Sequence, residues 1–172
     1  LDMADLQSLL TKNGFEVKRL GLAEGLAEKV HLDATLVIVS GPTAEFLPTE
    51  RDTLIAYVRS GGALLLLEDP EAGVVDTALL AAFGLSVAPG LVANGTYVAR
   101  VQGRAESPYH LVTSKFTSHA STTTLQSAQG RLYAALLGAG ALKKTATLPE
   151  GVDVRFTMQG MNDSWLDSTA NG

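Results

Sequence analysis

The order of apolar and polar positions divides the chain into a regular first half and a looser second half. Met3, Leu6, Leu9 and Leu10 recur at helical spacing before Asn13-Gly14, a pair suited to the left-handed turn that ends a helix. Phe15 to Leu20 then alternates in part, which predicts a strand near a sheet edge. Ala34 to Ser40 reads ATLVIVS, β-branched and apolar at successive positions, as a central parallel strand covered by helices on both faces must be. Ser40-Gly41-Pro42 breaks that strand. Thr49 followed by Asp52 offers a capping-box-like start for a helix carrying Leu54, Ile55 and Val58, and Gly61-Gly62 ends it. Ala63 to Glu68 (ALLLLE) predicts a second buried strand, closed by Asp69-Pro70. Val75, Leu79, Leu80 and Phe83 form the next helical face before Gly84, and Leu85 to Val92 is expected in the sheet or at its border.

From Asn94 onward Ser, Thr and Gly become frequent and the apolar runs shorten. Thr96 to Gln102, Thr122 to Gln126 and Val152 to Gln159 read as strands, while Arg131 to Leu137 fits a helix or a strand. The tail after Gly160 is polar except for Met161, Trp165 and Leu166, and reads as a loop pinned by the tryptophan or as the stub of a further element. Alternating helical patterns and apolar runs predict an α/β domain with a mostly parallel sheet. The expectation is one domain over 1–172, with a parallel core over 1–92 and a less regular, strand-rich continuation over 93–172.

Composition narrows the function classes. The chain has 172 residues, 46% of them apolar, which suffices for a proper core. It contains no cysteine, so disulfides, thiolate nucleophiles and cysteine metal sites are excluded together. Thirteen basic against eighteen acidic residues give a net charge of −5, with no basic stripe, and such a surface repels phosphate backbones, so nucleic acid is not an expected partner. Unbroken apolar runs such as Leu36 to Val39 and Ala63 to Leu67 fall far short of the roughly 20 residues of a membrane-spanning helix. The first residues lack the pattern of a signal peptide and lead directly into a helical pattern, as expected of a segment excised from something longer.

Open parallel sheets bind ligands beyond the carboxyl ends of their strands. That rule singles out Ser40, Gly41 and Thr43 after one strand and Glu68 and Asp69 after the other. Asp69-Pro70 reads equally well as ordinary turn chemistry. His110 and His119 stand nine apart, without the close helical spacing of metal ligands, and are expected in loops or caps; no metal and no cofactor is expected. Asn162, Asp163 and Asp167 lack the spacing and terminal glutamate of a calcium loop. Ser40 and Ser60 lack the Gly-x-Ser-x-Gly elbow of a hydrolase nucleophile, and Gly61-Gly62 neither completes a dinucleotide fingerprint nor opens a helix. Asn94-Gly95-Thr96 and Asn162-Asp163-Ser164 match glycosylation acceptors only formally.

Three runs together carry a family resemblance: Asp33 to Thr43 (DATLVIVSGPT), Leu47-Pro48-Thr49-Glu50, and Tyr57 to Pro70 (YVRSGGALLLLEDP). They resemble the soluble region of GldG-like proteins, auxiliary components of ABC-type transport systems that include gliding-motility proteins and are related to the GIFT domain of intraflagellar transport. Leu9 to Val17, Leu79 to Leu85 and Ser164-Trp165 fit the same pattern, as does His110-Leu111-Val112-Thr113 with Phe116, where the family has His-Pro-Ile-Thr and an aromatic residue. Leu111 departs from that proline. Family members usually have a strand ahead of the first helix, and this sequence starts just after that point, as expected of an excised or processed segment. The resemblance implies a flavodoxin-like or class I glutamine amidotransferase-like three-layer sandwich; enzymes of that fold use a cysteine nucleophile, absent here. It implies a non-catalytic, extracytoplasmic domain of a membrane-anchored protein, with permease or ATPase subunits or other envelope proteins as partners. The membrane would be reached only through segments outside these residues. The loops at 40–48, 68–75 and 103–121 would present the recognition surface. One alternative is a sugar- or peptide-binding module using Ser40, Gly41, Thr43, Glu68 and Asp69, with His110 as a further ligand-binding candidate. A more distant one is a hydrolase with Ser40 and His110 in hydrogen-bond reach.

Overall fold

The computed structural model describes residues 3–31, 33–70, 74–128 and 130–169. It divides into two compact units, Leu1–Leu79 and Leu80–Gly172.

The first unit holds α1 (Ala4–Lys12), a short 3-10 turn at Leu22–Glu24, β1 (Leu36–Ser40), α2 (Pro48–Arg59) and β2 (Ala63–Leu67), and α3 (Thr77–Ala81) begins at its end. β1 and β2 pair in parallel, with Leu36 opposite Ala63 and Ser40 opposite Leu67. Pro48 opens α2 at a position where a missing N–H costs nothing. The backbone N–H of Leu47 donates to the Glu50 carboxylate at 2.9 Å, so the cap is this pair and not Thr49 with Asp52. Gly61 ends α2 with φ +102, and Gly62 lies under the Tyr57 ring, where any Cβ would collide. The Tyr57 hydroxyl donates to the carbonyl of Ala34 at 3.0 Å, fastening α2 to the approach of β1. Leu26, Val30, Val37, Leu54 and Leu79 are the buried apolar side chains of this unit.

The second unit is built from antiparallel pairs: β3 (Leu85–Ala88) with β7 (Ala141–Lys144), β4 (Leu91–Ala93) with β8 (Trp165–Asp167), and β5 (His110–Thr113) with β6 (Ala134–Leu137). α4 (Thr123–Ser127) follows a 3-10 turn at Ala120–Thr122. The core here gathers Leu80, Ala88, Leu91, Ala93, Leu111 and Phe116. Asn94 is buried and fully bonded: its Nδ2 donates to the Asn162 carbonyl and to Ser164 Oγ, each at 2.9 Å, and its Oδ1 accepts from the amides of Thr96 and Tyr97, each at 2.8 Å.

These pairings overturn the expected flavodoxin-like or class I glutamine amidotransferase-like sandwich. Among the described residues every sheet has two strands, and three of the four pairs are antiparallel. β1 and β2 do lie side by side and point the same way, but they are not enclosed between helical layers. Exposure alternates along β2, where Leu65 and Leu67 are 41% and 36% exposed. An apolar run marks what a strand is able to bury and does not guarantee a second covering layer. Phe15 to Leu20 and Thr96 to Gln102 form no strand, beyond a single bridge from Val98 to Leu111. Thr122 to Gln126, rich in β-branched threonine, lies in the 3-10 turn and α4. The tail after Gly160 contains β8.

Candidate functional site

The carboxyl end of the β1–β2 pair brings four of the expected site residues to one sheet end. The amide of Gly41 donates to the Leu67 carbonyl at 2.8 Å, extending the parallel ladder one step past Ser40 and placing Ser40 and Gly41 next to Leu67 and Glu68. Asp69 follows, half-buried, and Thr43 is exposed in the loop leading to α2. Ser40 Oγ is buried and makes no hydrogen bond, and the buried Glu68 carboxylate has the Asp76 amide as a nearby donor without a well-formed hydrogen bond. The pleat sends successive residues to opposite faces, so Ser40 shares its face with Leu67, and Glu68, the next position, belongs to the other. Of the loop expected at 68–75, residues 71–73 lie outside the described residues.

Glu68 stands beside an ion pair that binds two helices together. Arg51, in the first turn of α2, grips Asp76 with Nε at 2.8 and 3.0 Å from the two carboxylate oxygens and with a terminal nitrogen at 2.9 Å; the same nitrogen donates to the Phe46 carbonyl at 3.2 Å. Asp76 also caps α3, accepting from the amide of Leu79 at 2.8 Å. Asp76 is 1% exposed. Burial pulls its carboxyl upward, but the hydrogen bonds from Arg51, the Leu79 amide and the Arg51 charge outweigh it and hold the group below the usual carboxylate range. Glu68 moves the other way. Burial pushes its carboxyl above the usual range, the Asp76 amide opposes this less strongly, and the Asp76 charge adds to the rise. The two neighbouring carboxyls are therefore shifted in opposite directions.

Arg51 and Asp76 are absent from the expected site. Asp76 was locally visible, since an aspartate directly ahead of the Thr77–Phe83 pattern is a helix-cap signal. Arg51 gives no local sign, because its partner is 25 positions away.

The β1–β2 pair also has an open apolar face. Leu36, Ile38 and Ser40 share one face with Ala63, Leu65 and Leu67, and Leu36 is 44% exposed. Val37, Val39, Leu64 and Leu66 share the other, more sheltered face. α2 packs along β2, with Leu54 only 1% exposed.

His110 belongs to the second unit, on β5 opposite Leu137. Its Nδ1 is buried without a hydrogen-bond partner. His119 caps the 3-10 turn, its Nδ1 accepting from the Ser121 amide at 3.2 Å, which matches the capping role expected for it. Asn94, buried with its amide nitrogen engaged, is closed to glycosylation in the folded chain. Among the described residues no three His, Asp or Glu side chains gather to hold a metal ion, and no helix is long and apolar enough to cross a membrane.

No protein-family model matches the chain, and no curated protein matches it in sequence. Among solved structures it is similar to one described as "mmIFT52 N-terminal domain", at 20% identity and a TM-score of 0.58. The match covers 84% of this chain and 65% of that one, less than two thirds of the neighbour's length. At this identity the likeness is one of fold: the chain shares the architecture of a β-rich IFT52 N-terminal domain and not that of a parallel flavodoxin-like sandwich.

Proposed function

We propose that this chain is a non-catalytic protein-interaction domain, the extracytoplasmic part of a membrane-anchored GldG-like auxiliary component of an ABC-type transport system. The observation that carries the interaction reading is the open apolar face of Leu36, Ala63, Leu65 and Leu67 on the β1–β2 pair. Large apolar side chains grouped on one exposed sheet face mark contact surfaces. The family part of the reading rests on sequence alone: the runs at 33–43, 47–50 and 57–70 resemble that family. The similarity to an IFT52 N-terminal domain bears on the fold and not on the transporter assignment.

The test uses the full-length protein in its own membranes. Co-purification with the permease and ATPase subunits of a transporter is expected, as is a complex weakened at least tenfold by Leu65→Asp. A full-length protein that is free in the cytosol, or that retains no transporter subunit, removes the reading.

A second reading, a small polar ligand at the carboxyl edge, is favoured by one observation, the buried Glu68 carboxylate, whose oxygens make no well-formed hydrogen bond. Screening sugars, peptides and nucleotides by thermal shift tests it. A midpoint raised in the wild type and unmoved in Glu68→Gln supports the site, and midpoints unmoved by every compound remove it.

A further inference from the structure

The second unit contains a groove of about 510 Å³, within the range of pockets that hold ligands. Leu111, Leu136, Leu142, Phe156 and Met158 give it a mostly apolar lining. Leu142, Phe156 and Met158 are all exposed to solvent.

The backbone along this groove is unevenly used. The segment around Met158 pairs antiparallel with Phe116: the Thr117 amide donates to the Thr157 carbonyl at 3.0 Å, and the Gln159 amide donates to the Lys115 carbonyl at 3.1 Å. In an antiparallel ladder a position bracketed in this way turns its own N–H and C=O away from the paired strand. Met158 is such a position, and its N–H and C=O meet no partner among the described residues. β7, which also lines the groove through Ala141 and Leu142, pairs with β3 alone among the described residues. An apolar trough beside an unpaired backbone edge is complementary to an extended chain: the main chain satisfies the edge, and every second side chain enters the trough.

Charge selects the occupant. Residues 80–172 carry seven Lys and Arg against five Asp and Glu, whereas residues 1–79 carry six against thirteen. Arg155 lines the groove, Lys144 shares a strand face with Leu142, and Lys115 pairs through its carbonyl with Gln159. Arg155 contacts Asp153 at 2.8 Å, but both side chains are exposed and such a pair exchanges readily for another carboxylate. Among the described residues, Nζ of Lys115 meets only the neutral Asn162 side chain.

We propose that this groove receives an extended segment of a partner protein, apolar at alternate positions and carrying acidic residues, which adds as a strand along the edge at Met158. The proposal rests on the protein-interaction reading and gives it a second contact with a defined chemistry.

A display library of eight-residue peptides, selected against the whole chain, tests it. Selected peptides are expected to alternate apolar residues with others and to include Asp or Glu. N-methylation of alternate main-chain nitrogens on the pairing edge should weaken them at least tenfold. Leu142→Asp should do the same, with an unchanged melting curve, since that side chain is exposed. Arg155→Glu should reverse the preference from acidic to basic peptides, and bound peptide should slow hydrogen exchange at the Met158 amide. No enrichment, basic or helical consensus sequences, or affinities indifferent to N-methylation overturn the proposal. So does self-association of the chain that Leu142→Asp abolishes, since the occupant is then a second copy. A transporter complex that persists when the peptides fail removes the groove alone, and peptides that bind when no transporter complex exists remove the transporter assignment alone.

Discussion

Two carboxyl groups a few residues apart respond to pH in opposite senses. Asp76 is held below the usual carboxylate range, so it contributes stability above the ordinary carboxylate pKa and loses that contribution as pH falls through the lowered value. Asp76→Ala should cost at least about 1 kcal/mol at neutral pH from the α3 cap alone, and more because Arg51 loses its partner. The difference from wild type in urea unfolding should narrow in acid. Glu68 is held above the usual range, so it is best tolerated at low pH and opposes folding increasingly as pH rises through its raised value. Glu68→Gln should therefore stabilise the chain at neutral pH and make no difference in acid. A Glu68→Gln variant less stable than wild type at neutral pH would show that the Asp76 amide outweighs the cost of burying this carboxylate.

At the scale of elements, packing at two positions makes separate claims. Leu54 is the buried residue of α2, which packs against β2, and Leu54→Ala should cost about 2–5 kcal/mol in denaturant unfolding. Gly90 turns β3 into β4 with φ +93, and a Cβ there would run into the backbone of Asp167 and Ser168. Gly90→Ala should detach β8 from β4 and shift the emission of Trp165, the single tryptophan, to the red. Emission unchanged in a destabilised variant would place the damage elsewhere. These two sites differ in legibility. α1, β1, α2 and β2 were readable because each combines an apolar pattern with Gly or Pro punctuation, and Ser40, Gly41, Glu68 and Asp69 follow from where those strands end. The burial of β2 was not readable, because ALLLL is compatible with one covered face or two. Thr122 to Gln126 misled through threonine's β preference, where the His119 cap decided for a helical turn. β8 is three residues long and acquires its conformation only by pairing with β4, 72 to 76 positions earlier in the chain, so no local pattern announces it. The Arg51–Asp76 clasp fails to show for the same reason.

The whole molecule separates its charge: thirteen acidic against six basic residues up to Leu79, five against seven beyond it. The two contact surfaces therefore belong to different electrostatic settings, and one partner engaging both would feel them differently. Contact with the open face of Leu36, Leu65 and Leu67 is hydrophobic, so sulfate should strengthen it. Contact of an acidic strand with the Met158 groove draws on exposed cations, and raising salt from low ionic strength to several times the physiological level, where the screening length shrinks to a few ångströms, should weaken it. Titrating isolated partner segments into the chain by calorimetry across sodium chloride and sodium sulfate separates the two. A groove ligand whose affinity ignores sodium chloride would mean that Lys115, Lys144 and Arg155 take no part in selecting it, leaving shape and the backbone edge as its only determinants.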